Sequence, residues 1–359
     1  MSGKFQKKRS ALPLRQLAVL ILAAAMALGS AACLLSLRHA SGSLITQSAG
    51  ESWRGANAMK FVQVSAFLPV DEEITEAQIE TFHQSIDAAA TAASLEKPET
   101  GSLYAECYYA ETKLSVSGPA GSQTDVRTLG VGGDFFTFHP LQLRAGSYLT
   151  SGDYMLDRVV LDETLAWSLF GSSDVAGMEV TISGRNYPVA GVVRLEDDAF
   201  SRKARGDKPL MFLCYGAMNA IQESGIRAYE VVLPEPISDF ALNLVTEKFP
   251  AGDGVIVQNT GRFGFVRLLK VFFSLAERSM NTNAVIYPYW ENAARLCEAK
   301  AAQLLFAALA LALLPVGLAL TLAIRWTLRT VRRAKDKAVA AVEERVEENK
   351  RRHYVRRGI

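Results

Sequence analysis

Two adjoining stretches decide the fold of this chain: LGVGGDFFTFHPLQLRAGSYL, residues 129–149, and DRVVLDETLAWSLFGSSDVAGMEVTISGRNYPVAGVV, residues 157–193. The second stretch contains a short helix, for which Asp162 is a suitable N-cap and Gly171 a suitable end. Alternating residues around Ser183–Asn186 then predict a β-hairpin. Short strands and helices in one segment predict a mixed domain.

The residues of these stretches point to structure rather than to chemistry. Gly130 and Gly146 can supply backbone freedom at the ends of strands. Phe135, Phe136 and Leu143 are apolar and are expected in a core. The segment contains no arrangement of nucleophile, base or metal ligand, so it predicts no catalytic site.

In order and spacing, about 65 residues of this segment resemble the periplasmic core domain of MacB- and FtsX-type permeases. That family shows a Gly-Val-x-x-Asp-Phe/Tyr-Phe segment, a Leu-x-Leu-x-x-Gly element, an acidic helix start, a Leu-Phe-Gly ending and a Val-x-Gly-Val-Val strand. The matching residues here are Gly130, Val131, Asp134, Phe135, Phe136, Leu141, Leu143, Gly146, Val160, Asp162, Glu163, Leu165, Ala166, Leu169, Phe170, Gly171, Val189, Gly191, Val192 and Val193. The resemblance implies an extracytoplasmic domain that moves in response to ATP hydrolysis in the cytoplasm.

The sequence around this segment fits the same fold class. Residues 60–68 alternate as a strand with one apolar face, and Thr75 with Gln78 forms a capping box at the start of a helix. Within the region between the two apolar segments, predicted helices alternate with strands over one stretch, and predicted strands follow one another directly over another stretch. We therefore predict an α+β domain of two packed subdomains.

Two uncharged apolar segments, residues 16–37 and 301–324, are each long enough to cross a bilayer as a helix. Small residues at Gly29–Ala32, followed by Cys33, leave open a cleaved signal peptide or a lipoprotein site. The apolar run continues beyond these residues, and this favours an uncleaved anchor. Two transmembrane helices are therefore predicted.

Charge predicts the orientation of these helices. Residues 1–15 carry five basic and no acidic side chains, and residues 325–359 carry 12 basic and five acidic ones. Residues 38–300 carry 22 basic and 32 acidic side chains. By the positive-inside rule both termini are predicted to be cytoplasmic, and residues 38–300 extracytoplasmic, in the cell (plasma or inner) membrane.

The sequence also differs from the family pattern. The usual permease has four spans, whereas this sequence shows two and has no Gly-x-x-x-x-Gly-Lys-[Ser/Thr] phosphate loop. The resemblance therefore implies an ABC-type ATPase that acts in trans, with a further permease subunit or self-association as an additional possibility.

A partner of this kind would dock on the cytoplasmic tail, residues 325–359. Family permeases place coupling elements directly after the second span, where this chain has Arg325, Arg329, Arg332 and Arg333. The alternative, which the sequence favours, is a solvated helix whose arginines contact anionic lipid headgroups.

The membrane-proximal part of the outer region, residues 262–300, has two features. Residues 262–278 predict an amphipathic helix, which is either a stalk that transmits motion or a helix packed on the base of the domain. Tyr287, Tyr289 and Trp290 are predicted to lie at the outer membrane interface, because aromatic rings are enriched there.

Other function classes find no support in the sequence. The four histidines lack metal-ligand spacing, no hydrolase motif occurs, and the basic segments adjoin the membrane spans rather than forming a nucleic-acid surface. We therefore predict no catalytic, cofactor-binding or metal site and no nucleic-acid partner. The alternative to a permease-like subunit is a stand-alone membrane-anchored sensor or scaffold. Cys107 and Cys214 are the only candidates for a disulfide, and unpaired thiols are the default expectation.

Overall fold

The computed structural model describes residues 13–55, 59–95, 102–150, 157–275 and 285–356, and for residues 349–356 it describes the backbone alone. The α-helices in these ranges are α1 (Leu14–Gly42), α2 (Ala49–Arg54), α3 (Glu76–Ala92), α4 (Phe135–Phe138), α5 (Glu163–Phe170), α6 (Ala199–Arg205), α7 (Tyr215–Ile221), α8 (Phe240–Lys248), α9 (Phe265–Phe273) and α10 (Tyr289–Arg356). The strands are β1 (Phe61–Phe67), β2 (Ala105–Gly118), β3 (Gly121–Gly133), β4 (Gln142–Gly146), β5 (Val159–Asp162), β6 (Glu179–Ile182), β7 (Arg185–Arg194), β8 (Leu210–Cys214), β9 (Ala228–Pro234) and β10 (Val255–Gln258).

These strands form one mixed sheet in the order β10-β1-β9-β2-β3-β8-β5-β7-β4, and β6 pairs with both β2 and β7. The long hairpin of β2 and β3 lies at its centre and turns at Pro119 and Ala120. Because β6 joins the tip of β2 to β7, the strands β2, β3, β8, β5, β7 and β6 form a closed circuit. Strands β9, β1 and β10 continue the sheet from the other end of β2.

The hairpin explains how the two predicted subdomains are related. Residues 38–303 form one compact unit, because β2 belongs to the closed circuit and also pairs with β9 of the open part of the sheet. Two short strands, 103–109 and 112–117, are predicted from the sequence of this region. The structure has one strand there, with a register shift between Leu114 and Val116.

Apolar side chains cover both faces of the sheet. Val62 and Val64 of β1 belong to one core, with Phe82 of α3 and Leu165 of α5. Phe67, three residues after Val64 and therefore on the opposite face of β1, belongs to a second core that contains Phe135, Phe212 and Trp290. All seven residues of β1 are buried. The sequence predicted one apolar, buried face for this strand, whereas both faces are buried.

The local start and stop signals are where the sequence places them. Thr75 accepts a hydrogen bond from the Gln78 backbone N–H, and the Gln78 side chain reaches back to the Thr75 N–H, which completes the predicted capping box. Asp162 caps α5, and Gly171 ends that helix in the left-handed conformation. The predicted hairpin turns at Ser183 and Gly184, both of which have positive φ.

Helices α1 and α10 are both long and apolar enough to cross a membrane, and they contain the predicted spans 16–37 and 301–324. Among the residues of α1, Ala23 and Ser30 are buried, and Ser30 Oγ donates to the Ala308 carbonyl at 2.9 Å. Of the predicted N-terminal segment 1–15, residues 1–12 lie outside the described residues. The described part of the chain thus has a mixed domain with an apolar helix at each end.

Candidate functional site

A fully buried carboxylate lies at the centre of β9. Glu230 is 2% exposed, and its Oε1 accepts a hydrogen bond from the Trp290 indole and lies 3.0 Å from His139 Nε2. Its Oε2 accepts from Gln63 Nε2 at 3.0 Å and lies 2.8 Å from Ser65 Oγ. We call these five residues the Glu230 cluster. Four polar neighbours occupy the acceptor positions of one carboxylate.

The environment of Glu230 favours its charged form. Burial raises the pKa of a carboxyl group, but the charge of His139 and the hydrogen bonds from His139, Ser65 and Gln63 together lower the pKa of Glu230 below its ordinary value. A buried carboxylate without such partners would be strongly destabilising. The carboxylate of Glu230 is therefore fully hydrogen-bonded inside an apolar domain, whereas the buried Nδ1 of His139 has no hydrogen-bond partner among the described residues.

A second buried network surrounds Arg262, which follows β10. Its Nη1 donates to Glu291 Oε2 at 2.6 Å and to Gln47 Oε1 at 3.1 Å, and its Nη2 donates to Glu291 Oε1 at 2.8 Å. Glu298 also pairs with the guanidinium, with Nε and Oε1 2.9 Å apart. Arg295, on the same helix, donates to Glu291 at 2.9 Å. We call Arg262, Glu291, Glu298, Arg295 and Gln47 the Arg262 cluster.

The Arg262 cluster combines strong pairing with nearly complete burial. Arg262 is 2% exposed, Glu291 0% and Glu298 5%. Burial alone lowers the pKa of a guanidinium, but the ion pairs and hydrogen bonds with Glu291 and Glu298 outweigh it, so the pKa of Arg262 is raised. A bidentate arginine–carboxylate pair also fixes geometry, because the planar guanidinium matches the two carboxylate oxygens. This cluster fixes the first turns of α10 to the domain.

Asn259 connects the two clusters. Its Oδ1 lies 2.9 Å from Ser65 Oγ, and its Nδ2 donates to Gln47 Oε1 at 3.0 Å. Gln47 in turn accepts from Arg262. One continuous network of hydrogen bonds therefore runs from β9, through β1 and the segment that follows α1, to helix α10.

Three potential metal ligands also meet in the Glu230 cluster. A ligand atom from each of Cys107, His139 and Glu230 lies within 4.8 Å of the others, although their spacing in the sequence shows no metal motif. Burial raises the pKa of the Cys107 thiol well above its ordinary value, and Glu230 adds to this effect. A protonated thiol beside a carboxylate that already accepts four hydrogen bonds fits a packed polar core better than a metal centre.

The structure places the predicted family-motif residues along the sheet, in structural roles. Phe135 and Phe136 are buried, at 3% and 8% exposure, as predicted. Asp134 precedes α4 and is exposed. Asp162 is buried; its side chain accepts from the backbone N–H of Leu165. Phe170 is partly buried against the core.

The motif glycines differ in the reason for their small size. Gly146 ends β4 with φ +72°, so the predicted backbone freedom is used there. At Gly130, inside β3, the reason is close packing instead, because a Cβ would lie 2.6 Å from Met218 Cε. Gly191, inside β7, has no room either, since a Cβ would lie 2.8 Å from the Ala145 carbonyl oxygen. The expectation of backbone freedom at Gly130 was therefore wrong.

Two further expectations from the sequence were wrong. Leu143 is 37% exposed rather than in the core, because β4 is an edge strand of the sheet, whereas Leu141 is buried. Tyr289 and Trp290 do not face a membrane interface. They are 3% and 2% exposed within the domain, where Trp290 contacts the ring of Tyr109 at 4.8 Å between centroids.

The candidate docking arginines all lie on the part of α10 that follows the second apolar segment. Arg325, Arg329, Arg332 and Arg333 are exposed, and their spacing of four, three and one residues places them along one side of a helix. The structure thus groups these four residues on one surface.

Sequence reasoning missed the buried polar network. Glu230 is the one acidic residue in the apolar strand AYEVVLP, and a charge inside such a strand was the available signal. Helical spacing puts Glu291 and Glu298 on one side of α10. The sequence contains no signal that Arg262 is their common partner.

Comparisons with known proteins agree with the fold. The family model described as MacB-like periplasmic core domain matches residues 17–262. Solved structures that are similar include the periplasmic region of MacB from Actinobacillus actinomycetemcomitans, at 14% identity and a TM-score of 0.40, covering 61% of this chain and 94% of that one. Another is the extracellular domain of the noncanonic ABC-type transporter YknZ from Gram-positive bacteria, at 14% identity and a TM-score of 0.33, covering 52% and 88%.

Among curated proteins, no match is found. The match of the family model covers more than half of the chain and decides the family. Its position agrees with the described fold, in which a mixed domain follows an apolar helix. The chain belongs to the family of proteins with a MacB-like periplasmic core domain.

Proposed function

We propose that this chain is a non-catalytic, permease-like subunit of a MacB/FtsX-type ABC assembly, in which a separate ATPase hydrolyses ATP and the outer domain moves in response, for export or for transmission of force. Family membership supports the general role, because such permeases are generally non-catalytic transporter components. The observation that carries the coupling role is the buried attachment of α10 to the domain by the Arg262 cluster.

This attachment suits a part that transmits motion. The guanidinium of Arg262 contacts Glu291 and Glu298, which are seven residues, or about 10 Å, apart along the helix axis. Two points of contact at this separation resist both sliding and tilting of the helix against the domain. The same helix continues through the apolar segment to Arg356. A force applied to its cytoplasmic end would therefore reach the domain through a fixed joint.

The cytoplasmic end of the mechanism would be the exposed side of α10 that carries Arg325, Arg329, Arg332 and Arg333. Four positive charges on one side of a helix favour an acidic partner surface. A further permease subunit or a second copy of the chain is compatible with this arrangement. The charge distribution supports the orientation that the mechanism needs, with the tail in the cytoplasm and residues 38–300 outside.

Affinity purification from native membranes in mild detergent, with mass spectrometry of the recovered chains, tests the proposal. The wild-type chain is expected to recover an ABC-type ATPase, and the double variant Arg329→Glu/Arg333→Glu is expected to lose it. The matched control is Lys335→Glu/Lys337→Glu, which makes the same change of charge one turn further along the exposed helix and is expected to retain the ATPase.

Absence of any ATPase from the wild-type complexes would contradict the proposal. Recovery of extracytoplasmic partners alone would then favour a membrane-anchored sensor or scaffold. Recovery of the ATPase with both double variants would keep the permease-like role but would remove the docking role of the four arginines, leaving them as contacts for anionic lipid headgroups.

A further inference from the structure

Helix α9 has an apolar face that the described part of the chain leaves uncovered. Leu268 and Val271 are buried, whereas Phe265, Val266 and Phe273 are 56%, 63% and 79% exposed. At about 100° of rotation per residue, the three exposed side chains lie within an arc of about 100° on the side away from the buried ones. Helix α9 is therefore apolar both where it contacts the domain and where it does not.

The exposed face has a basic edge. Lys270 is exposed beside the apolar arc, and Arg267 is half-buried, with its Nη1 donating to the Gln258 carbonyl at 2.8 Å. Residues 265–273 contain no acidic side chain. An apolar face with basic residues beside it is complementary to the boundary between acyl chains and phosphate headgroups in a bilayer.

The position of α9 in the domain brings it to the membrane-proximal end. Arg262, three residues before α9, pairs with Glu298, and Glu298 lies three residues before the apolar segment that starts at Ala301. Its other partner, Glu291, is about 15 Å of helix from Ala301. The start of α9 is thus tied to the last turns of α10 that precede the predicted span.

We propose that α9 is a membrane-surface helix, whose exposed arc of Phe265, Val266 and Phe273 inserts into the outer face of the lipid bilayer. Insertion to the depth typical of such helices, about 5–10 Å, would bury the phenylalanine rings and leave Lys270 near the phosphates. The domain would then have a third membrane contact besides its two apolar helices. This inference needs the chain to lie in a membrane but does not depend on an ATPase partner.

Nitroxide labels on the full chain in nanodiscs of phosphatidylcholine and phosphatidylglycerol test the proposal. The labelled variants are Phe273→Cys and Val266→Cys in the arc and Met178→Cys as a control, since Met178 is 50% exposed in the loop before β6. The unsubstituted chain gives the background from native thiols. At residues 273 and 266 we expect accessibility to a polar nickel complex to be lost and accessibility to oxygen to be retained, because oxygen partitions into hydrocarbon.

Nickel accessibility at both arc positions equal to that at residue 178 would overturn the proposal. So would loss of nickel accessibility in nanodiscs that hold two or more chains but not in nanodiscs that hold one, because this would identify a second copy of the chain as the partner of the face. Two labelled positions are used so that a local defect at one of them does not decide the result.

Discussion

Glu230 lies in the middle of β9, with an apolar residue on either side, and yet it is fully buried. The residues that make this possible come from distant parts of the chain: Gln63 and Ser65 from β1, His139 from the end of α4, and Trp290 from the start of α10. Each supplies a polar atom to the same carboxylate. Glu230 thus links three elements that are distant in sequence, β1, α4 and α10, through hydrogen bonds to one carboxylate.

Glu230→Gln is expected to destabilise the domain by about 3 kcal/mol at pH 7, because it removes the charge and places an amide N–H among donors. The folded-state pKa of Glu230 is lowered, so its contribution is complete above the ordinary glutamate pKa of about 4.3 and is lost as the pH falls through the lowered value. Denaturant unfolding of the full chain in detergent, followed by tryptophan fluorescence, measures this difference. We expect it to shrink as the pH falls below about 4.3. A difference that grows below that pH would contradict the assignment.

Two glycines of the family motif, Gly191 and Gly130, are expected to differ in their tolerance of alanine. The reason is that backbone atoms surround the first, whereas a flexible side chain lies beside the second. Gly191→Ala would press a methyl group against the carbonyl oxygens of Ala145 and Ser147, which cannot move without disturbing β4 and β7. Gly130→Ala would meet the end of the flexible Met218 side chain. We expect the first substitution to cost about 1–3 kcal/mol and the second less, in the same unfolding measurement. Equal costs would show that the sheet yields at Gly191.

Burial of the polar residues of β1 could not be predicted from the strand itself. Alternation correctly placed Val62 and Val64 in a core, and it implied that Gln63 and Ser65 face water. In the structure the second face is covered by residues that lie far along the chain, including Thr46, whose carbonyl accepts from Gln63. Period-two patterning identifies a strand, but it does not reveal what covers the polar face.

At the scale of elements, signals held within a few residues were reliable. The capping box of α3, the N-cap of α5 and the hairpin turn at Ser183 and Gly184 each involve residues that are neighbours in sequence, and the structure contains all three. The start of α10 could not be predicted in this way. Tyr289 and Trp290 have the composition of a membrane-interface segment. Contacts with the rings of Tyr109, Phe135 and His139, which are distant in sequence, explain the burial of Trp290.

The attachment of α10 to the domain gives a prediction for the element as a whole. Arg262→Met is expected to cost about 3–5 kcal/mol, because it leaves the carboxylates of Glu291 and Glu298 buried without their charge partner. Arg202→Met is the matched control, since the pair of Arg202 with Asp197 spans 3.5 Å between two exposed side chains, and we expect a cost below about 1 kcal/mol.

A triple variant separates the charge from the packing. When Glu291→Met and Glu298→Leu accompany Arg262→Met, no charged partner remains buried, and we expect much of the lost stability to return. Denaturant unfolding of the full chain in detergent measures all of these variants. If the triple variant is no more stable than the single one, the hydrogen bond of Arg262 with Gln47 contributes more than the ion pairs do.

For the whole molecule, the distribution of charge is the strongest property that the sequence alone provides. A net charge of +2 for the chain conceals basic segments outside the two apolar helices and an acidic segment between them. The positive-inside rule depends on lysine and arginine near the ends of spans, and both spans have them on the same side. The fold of the central domain contributes nothing to this argument.

Cysteine labelling of intact and permeabilised cells tests the orientation. Met178→Cys, in the central domain, and Val342→Cys, on the tail, replace side chains that are 50% and 61% exposed, so both thiols are open to a maleimide reagent that cannot cross membranes. Because residues 38–300 are expected outside the cytoplasmic membrane, residue 178 should react in spheroplasts, and residue 342 should react only after the membrane is permeabilised.

The native cysteines provide the background, which the unsubstituted chain measures. The opposite pattern would place the basic tail outside, where no cytoplasmic ATPase could reach Arg325–Arg333. Reaction of both residues in spheroplasts would show that the two apolar helices do not return the chain to the cytoplasm, and the proposed coupling along α10 would then have no cytoplasmic end.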